Sequence, residues 1–220
     1  MTKLPNQNKP MKQGVFVAIE GVDGAGKTVL LEAFKQRFPQ SFLGFKTLFS
    51  REPGGTPLAE KIRALLLHEA MEPLTEAYLF AASRTEHVRQ LIQPALQQKQ
   101  LVIVDRFVWS SYAYQGLIKK VGLDVVKKLN ADAVGDSMPD FTFIVDCDFE
   151  TALNRMAKRG QDNLLDNTVK KQADFNTMRQ YYHSLVDNKR VFLLDGQNQT
   201  GCLEQFIEQL SQCLTQPTLS

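Results

Sequence analysis

The chain has 220 residues, 43% of them hydrophobic, and a formal charge of +2, which supplies apolar material for one full core and leaves no electrostatic footprint of a nucleic-acid binder. No run approaches the roughly 18 to 20 apolar residues that cross a bilayer, and the N-terminus lacks a hydrophobic signal core, so the sequence predicts a soluble, cytoplasmic protein without membrane or nucleic-acid partners. Cys147, Cys202 and Cys213 are odd in number and widely spaced, which argues against a disulfide framework or a zinc site and for reduced packing residues.

Residues 1–14 are polar and aperiodic and read as a disordered tail. Residues 15–214 read as a single domain, and 215–220 as a second tail. Five short apolar runs are predicted as buried parallel strands: 15–19, Lys46 to Ser50, Leu101 to Asp105, Phe141 to Cys147 and Arg190 to Asp195. Helical patterns separate them, so the expected fold is α/β, a parallel sheet with helices on both faces and ligands at the carboxyl ends of the strands.

The first strand leads into Gly21, Val22, Asp23, Gly24, Ala25, Gly26, Lys27 and Thr28, which fit the phosphate-binding loop Gly-x-x-x-x-Gly-Lys-Thr. The glycines let successive N–H groups turn toward a phosphate, Lys27 reaches the outer phosphates, and the Thr28 hydroxyl can ligate magnesium. A helix from about Val29 adds its N-terminal partial charge. This loop announces a nucleoside triphosphate without saying what is done with it.

After the second strand, Arg51, Glu52, Pro53, Gly54 and Gly55 form a turn, followed by Thr56 as a helix cap and Pro57 at the first helical position. Turns use glycine and proline in any case, but a guanidinium at a strand end, Arg51, is placed to grip a phosphate. Thr75 to Gln98 is a long helical pattern interrupted near Gln93 and Pro94, with Phe80 and Arg84 on one face. They fit either a core helix or a slot that stacks a base and hydrogen-bonds its edge. Asp105, at the tip of the third strand, is the expected second anchor for magnesium, and Arg106 follows it toward the acceptor. Phe107 to Gly116 is dense in hydroxyls, amide and aromatics.

Asp148 is expected to cap a helix that carries Arg155, Lys158 and Arg159 on the way to Gly160, with a polar loop from Gln161 to Thr168. A basic helix end followed by a flexible loop suits a lid over phosphates, or a plain solvated face. Asp174 to Asn188 is predicted as a helix with Arg179, Tyr181 and Tyr182 available to the site, and Gly201 to Leu214 as the last helix.

Taken together, Arg51 to Thr56, Leu79 to Arg84, Asp105 and Arg106 with Ser110, and Ala113 to Gly116 resemble the thymidylate kinase family in its bacterial form. The resemblance spans Val15 to about Leu210. It implies a three-layer P-loop kinase fold with a five-stranded parallel sheet and a short lid at about 155–168. It also implies Mg²⁺-dependent transfer of the γ-phosphoryl of ATP to dTMP, giving dTDP and ADP in dTTP biosynthesis, by a homodimer packed through helices that include those bearing Phe80 and Tyr114. The loop Gly21 to Thr28 would bind ATP. Thr28, Asp105 and Asp23 would serve the metal, Asp23 also lying near the acceptor 3'-hydroxyl. Arg51 and Arg106 resemble the arginines that clamp the dTMP phosphate, Phe80 the aromatic stacked on thymine, and Arg84 the group at its O4 edge. Ser111 sits where a side chain reads the N3 edge, Tyr114 resembles the residue packed on the sugar, and Gln115 completes the dTMP set. One branch of the family carries an arginine inside the phosphate loop. Here that position is Gly24, so the catalytic set would be Lys27, Asp23 and Arg106 with a lid cation, Arg155, Lys158 or Arg159. The sequence departs from the family at Asn163 and Leu164, where an Asp-Arg pair is common, and at Phe107, where Tyr or His is common. Rival readings are a kinase for another nucleoside monophosphate or a deoxynucleoside, a nucleotide-dependent switch, and a lapsed kinase serving as a scaffold; no Asn-Lys-x-Asp guanine-reading element is present.

Overall fold

The computed structural model describes residues 14–159 and 171–215. In chain order they form β1 (Val15–Glu20), α1 (Lys27–Arg37), β2 (Ser41–Phe42), β3 (Phe45–Arg51), α2 (Pro57–His68), α3 (Pro73–His87) and α4 (Gln93–Gln97). Then come β4 (Leu101–Asp105), α5 (Val108–Ser111), α6 (Leu123–Val134), β5 (Phe141–Asp146), α7 (Phe149–Arg159), α8 (Gln172–Ser184), β6 (Val191–Asp195) and α9 (Gln199–Thr215). π-helical turns at Val88–Ile92 and Tyr112–Ile118 join α3 to α4 and prolong α5. Pro94, with no N–H to donate, falls at the start of α4, where the predicted interruption lies.

The strands lie in the order β2-β3-β4-β1-β5-β6. The five predicted runs are all present and mutually parallel. A sixth strand, β2, was not predicted: it is two residues long, antiparallel to β3, and closed by Leu43 and Gly44, both at positive φ. Two residues are too few for an alternating pattern to show, and Leu is not the residue that usually signals such a turn.

Alternation along the strands sends side chains to two cores. Val17, Ile19 and Ile103 pack with Phe34 of α1 and Phe206 of α9, while Phe16, Ala18, Val102 and Val104 pack under Ile92 and Val126. Layers of helix therefore cover both faces, as a parallel sheet requires. Thr56 Oγ1 accepts from the Ala59 amide at 3.2 Å with Pro57 at the first helical position, and Asp148 Oδ1 accepts from the Thr151 amide at 2.7 Å. Both expected caps are in place. Cys147 and Cys202 are buried free thiols that burial pushes up to about 11. Among the described residues no helix is long and apolar enough to cross a membrane.

Register decides what meets at the sheet's carboxyl edge. Asp105 pairs with Ile19 on one side and Arg51 on the other, so the tips of β1, β3 and β4 end together.

Candidate active site

The phosphate loop leaves β1 and enters α1 through Gly26, held in the left-handed region at φ 109°. Lys27, the first residue of α1, folds its side chain back, donating to the carbonyls of Gly21 at 3.0 Å and Val22 at 2.8 Å. Burial, with Arg106 nearby, lowers its ammonium from the ordinary 10.5 to about 8. Gly24, at φ 79°, lies against α7 so closely that any Cβ would overlap the Ala152 carbonyl oxygen. No side chain fits there, which gives a packing reason for the missing loop arginine.

Arg155 reaches the loop from outside. Its Nη1 donates to the carbonyls of Ala25 at 3.0 Å and Gly196 at 2.9 Å, with a longer contact to Gly24, and Nη2 reaches the Gln197 carbonyl at 3.3 Å. The guanidinium thus ties α7 to the loop and to the turn after β6. Lys158 lines the cleft beside it. The Arg159 side chain and the rest of the expected lid, 160–168, lie outside the described residues.

Arg106 occupies a left-handed backbone position, φ 66°, just past β4. Its Nη1 donates to the Gly21 carbonyl at 3.1 Å and Ser110 Oγ at 3.0 Å, and its Nη2 to Asp23 Oδ1 at 2.5 Å. Tyr114 donates to the other Asp23 oxygen at 2.7 Å and lies under the Arg106 guanidinium, 5.3 Å from its ring centre. Beneath this triangle sits Glu20, fully buried, accepting from the Phe107 amide at 2.8 Å and from Ser110 Oγ at 2.6 Å. Burial pushes its carboxyl up, against the pull of the Ser110 hydrogen bond and of Arg106. Tyr182 reaches Ser110 Oγ at 3.2 Å from the far side.

On the base side, Arg84 is 1% exposed and spends its guanidinium on the protein. Nε donates to Glu52 Oε2 at 2.6 Å, Nη1 to Ser111 Oγ at 3.1 Å and to Asn130 Oδ1, and Nη2 to the Phe107 carbonyl at 3.1 Å. Among the described residues, partners account for four of the five N–H donors, leaving one on Nη2. His87 Nδ1 lies 2.9 Å from the other Glu52 oxygen and its Nε2 2.7 Å from Ser50 Oγ. Since a carboxylate only accepts, His87 Nδ1 carries a proton and donates to Glu52, while Nε2 faces the Ser50 hydroxyl. Phe80, half-buried, packs in neither core among the described residues. Arg51 pairs with Glu60 at 3.1 Å on the exposed rim, and Arg63 donates to the Pro53 carbonyl at 2.9 Å.

These groups open onto one cleft of about 740 Å³, lined by the phosphate loop on one side and by Arg51, Arg63, Phe80, Arg84, Arg106, Ser111, Tyr114 and Gln115 on the other. Its volume is that of a small-molecule site. Asp105 Oδ1, between the two sides, is buried without a hydrogen-bond partner among the described residues. Thr28 lines the same space. No cluster of three or more His, Cys, Asp or Glu side chains that could hold a metal is present among the described residues. A lone carboxylate oxygen with a hydroxyl nearby fits Mg²⁺, which keeps several waters and takes phosphate oxygens rather than a protein cage.

Some expectations change. Arg179 is held bidentate by Asp146, the last residue of β5, at 2.8 and 2.7 Å and does not line the cleft. Tyr181 packs against the cores instead. Glu20, Glu52, Arg63, His87 and Asn130 were not singled out. Glu52 lies within a recognised segment, but Asn130 is 46 residues from the arginine it contacts and carries no local signal.

A phosphate cradle on a doubly covered parallel sheet, facing an arginine-lined slot across the strand tips, defines a P-loop phosphotransferase of the nucleoside monophosphate kinase class. The family model described as thymidylate kinase matches residues 19–207. A thymidylate kinase of Mycoplasma genitalium is 62% identical over 208 residues, covering 94% of this chain and 99% of that protein. One of Ureaplasma parvum is 38% identical over 218 residues, covering 96% and 95%. The crystal structure of thymidylate kinase from Ehrlichia chaffeensis superposes with a TM-score of 0.70 at 27% identity, covering 92% of this chain and 99% of that one. The chain belongs to the thymidylate kinase family.

Proposed function

We infer that the chain transfers the γ-phosphoryl group of ATP to dTMP, giving ADP and dTDP on the route to dTTP, in the cytoplasm. The observation that carries this reading is the single cleft shared by the phosphate loop and by a slot lined with arginines and an aromatic. Phosphoryl transfer asks a protein mainly for positioning and charge neutralisation, and no covalent nucleophile is required.

In this reading the loop amides from Gly21 to Thr28 and the Lys27 ammonium hold the ATP phosphates. Arg51 and Arg106 hold the acceptor phosphate, and Asp23 fixes Arg106 and Tyr114 in the pose described above. Phe80 stacks on the base, Arg84 gives its remaining N–H to O4, and Ser111, Tyr114 and Gln115 complete the slot. Thr28 and Asp105 would hold Mg²⁺, which supplies neutralisation of charge on the transferring phosphoryl oxygens.

Arg155 is committed to backbone carbonyls, so the transition-state cation falls to Lys158 or Arg159 at the end of α7. Such a cation contributes on the order of 10³ to 10⁵ in rate. Of Lys158→Ala and Arg159→Ala, one should lower kcat by roughly 10³-fold with little change in KM for dTMP. Unchanged turnover in both variants would place the cation elsewhere. The acceptor itself is tested by coupled ADP release over dTMP, dUMP, dCMP and dGMP, where a preference for another nucleotide overturns the reading.

A homodimer is proposed as well. Leu58 and Leu65 on α2 and Leu74 and Tyr78 on α3 are large apolar side chains left exposed on neighbouring helices. The stretch bearing Tyr114 is buried from Tyr112 to Gly116, so α2 and α3 offer the contact face. Sedimentation of a Leu65→Glu, Tyr78→Glu variant as a monomer would support it.

A further inference from the structure

Two helical stretches wall the base side of the cleft, and their polar residues meet in rungs. On α3, Glu76, Phe80 and Arg84 recur every four residues and so share one face. Opposite them, Ser111 and Gln115 are also four apart. One rung joins Arg84 Nη1 to Ser111 Oγ at 3.1 Å, and the other joins Gln115 Nε2 to Glu76 Oε1 at 2.8 Å. Phe80 comes between them along α3.

The second rung has a fixed polarity. A carboxylate only accepts hydrogen bonds, so the Gln115 amide must turn its NH₂ toward Glu76. Lys119 Nζ binds the other Glu76 oxygen and supplies the counter-charge that a carboxylate so buried needs. Gln115 Oε1 is thereby committed to the other direction. It is a buried acceptor in the cleft wall with no partner among the described residues. The first rung offers the complement, since Arg84 has one N–H left. Arg84 and Gln115 both line the cleft, so on either side of Phe80 its wall holds one unspent donor and one unspent acceptor.

A pyrimidine with an N3–H and an O4 offers the matching donor and acceptor, whereas cytosine reverses both with a bare N3 and a 4-amino group. Building on the reading of this cleft as the dTMP site, we propose that Glu76, backed by Lys119, is a positioning residue for base specificity. It locks the Gln115 amide with Oε1 toward the base and so selects pyrimidines that carry an N3–H. Ser111 Oγ already accepts from Arg84 in the first rung, whereas Gln115 Oε1 is the acceptor left without a partner among the described residues, and the proposal gives the N3–H to it. A cost arises for any base that leaves the buried acceptor unpaired.

Steady-state kinetics with dTMP and 5-methyl-dCMP test this, because the two share methyl, sugar and phosphate and differ only at the edge in question. Glu76→Gln replaces an acceptor with an amide that also donates, which frees Gln115 to turn. KM for dTMP should rise about tenfold with kcat within about twofold, and the preference for dTMP over 5-methyl-dCMP should narrow by about tenfold or more. In a Gln115→Met background the same Glu76→Gln change should leave the preference where it is. An unchanged preference in folded Glu76→Gln protein, an equal loss for both acceptors, or a further change in the Gln115→Met background overturns the proposal. Should Glu76→Gln not fold, Gln115→Met alone decides: a narrowed preference supports the acceptor at N3, and an unchanged one overturns it. Failure of the wild-type chain to phosphorylate dTMP at all would overturn the reading of the cleft instead, a separate result.

Discussion

The two walls of the cleft are built in opposite ways. On the phosphate side the binding surface is backbone and its lysine is placed locally, Lys27 turning onto carbonyls only five and six residues behind it, while Arg106 and Arg155 brace the loop from outside. On the base side Arg84 is held by Glu52, Ser111 and Asn130, which lie 32, 27 and 46 residues away. One wall is a motif and the other is a meeting of helices. A local wall tolerates changes in the fold around it but not within itself, while a long-range wall fails when any one of its buried partners is left alone.

The largest effect that would sharpen this contrast is on stability. Arg84→Met leaves Glu52 as a buried carboxylate deprived of its charged partner and should cost about 3–5 kcal/mol, read from denaturant melts. Arg51→Met, at the exposed rim, should cost no more than about 1 kcal/mol while raising KM for dTMP. Equal costs would erase the distinction between a buried frame and a solvated grip.

Next in size is Lys27. Lys27→Ala should lower kcat by roughly 10² to 10³-fold, about 3–4 kcal/mol, in a coupled ADP-release assay, with no matching loss of thermal stability. Its pH behaviour follows from a pKa depressed to about 8. The charged form binds phosphate, so ATP affinity should be full below pH 8 and fall as pH rises through it. Between about 8 and the ordinary 10.5, the unfolded chain holds a proton that the folded chain lacks, so the contribution of this residue to stability rises with pH in that window. Isothermal titration with ATP across pH 7 to 9.5 checks the first sign, and an affinity flat through pH 8 would remove Lys27 from the account.

The smallest effect concerns the base wall alone. Thymine and uracil differ by one methyl, which a pocket distinguishes by roughly 1–3 kcal/mol, or about 10 to 200-fold. dUMP should therefore be a slow substrate rather than an inert one, and equal efficiencies would show that the methyl meets no close wall.

The sequence by itself determined the five parallel strands, the phosphate loop, the caps at Thr56 and Asp148, and the set of polar residues at the strand tips. Each of these follows from neighbours in the chain: apolar runs bury, glycines permit positive φ, and a hydroxyl or carboxylate caps the helix beginning beside it. Tertiary structure alone decided how those residues are spent. Arg155, a lid cation by its position, is tied to carbonyls of the phosphate loop and of the turn after β6, and Arg179 is taken by Asp146. Arg84 is left a single N–H, and Gln115 is given its orientation by Glu76. A side chain has a fixed number of donors and acceptors, and which of them stay open for a ligand depends on the partners that folding brings from elsewhere in the chain.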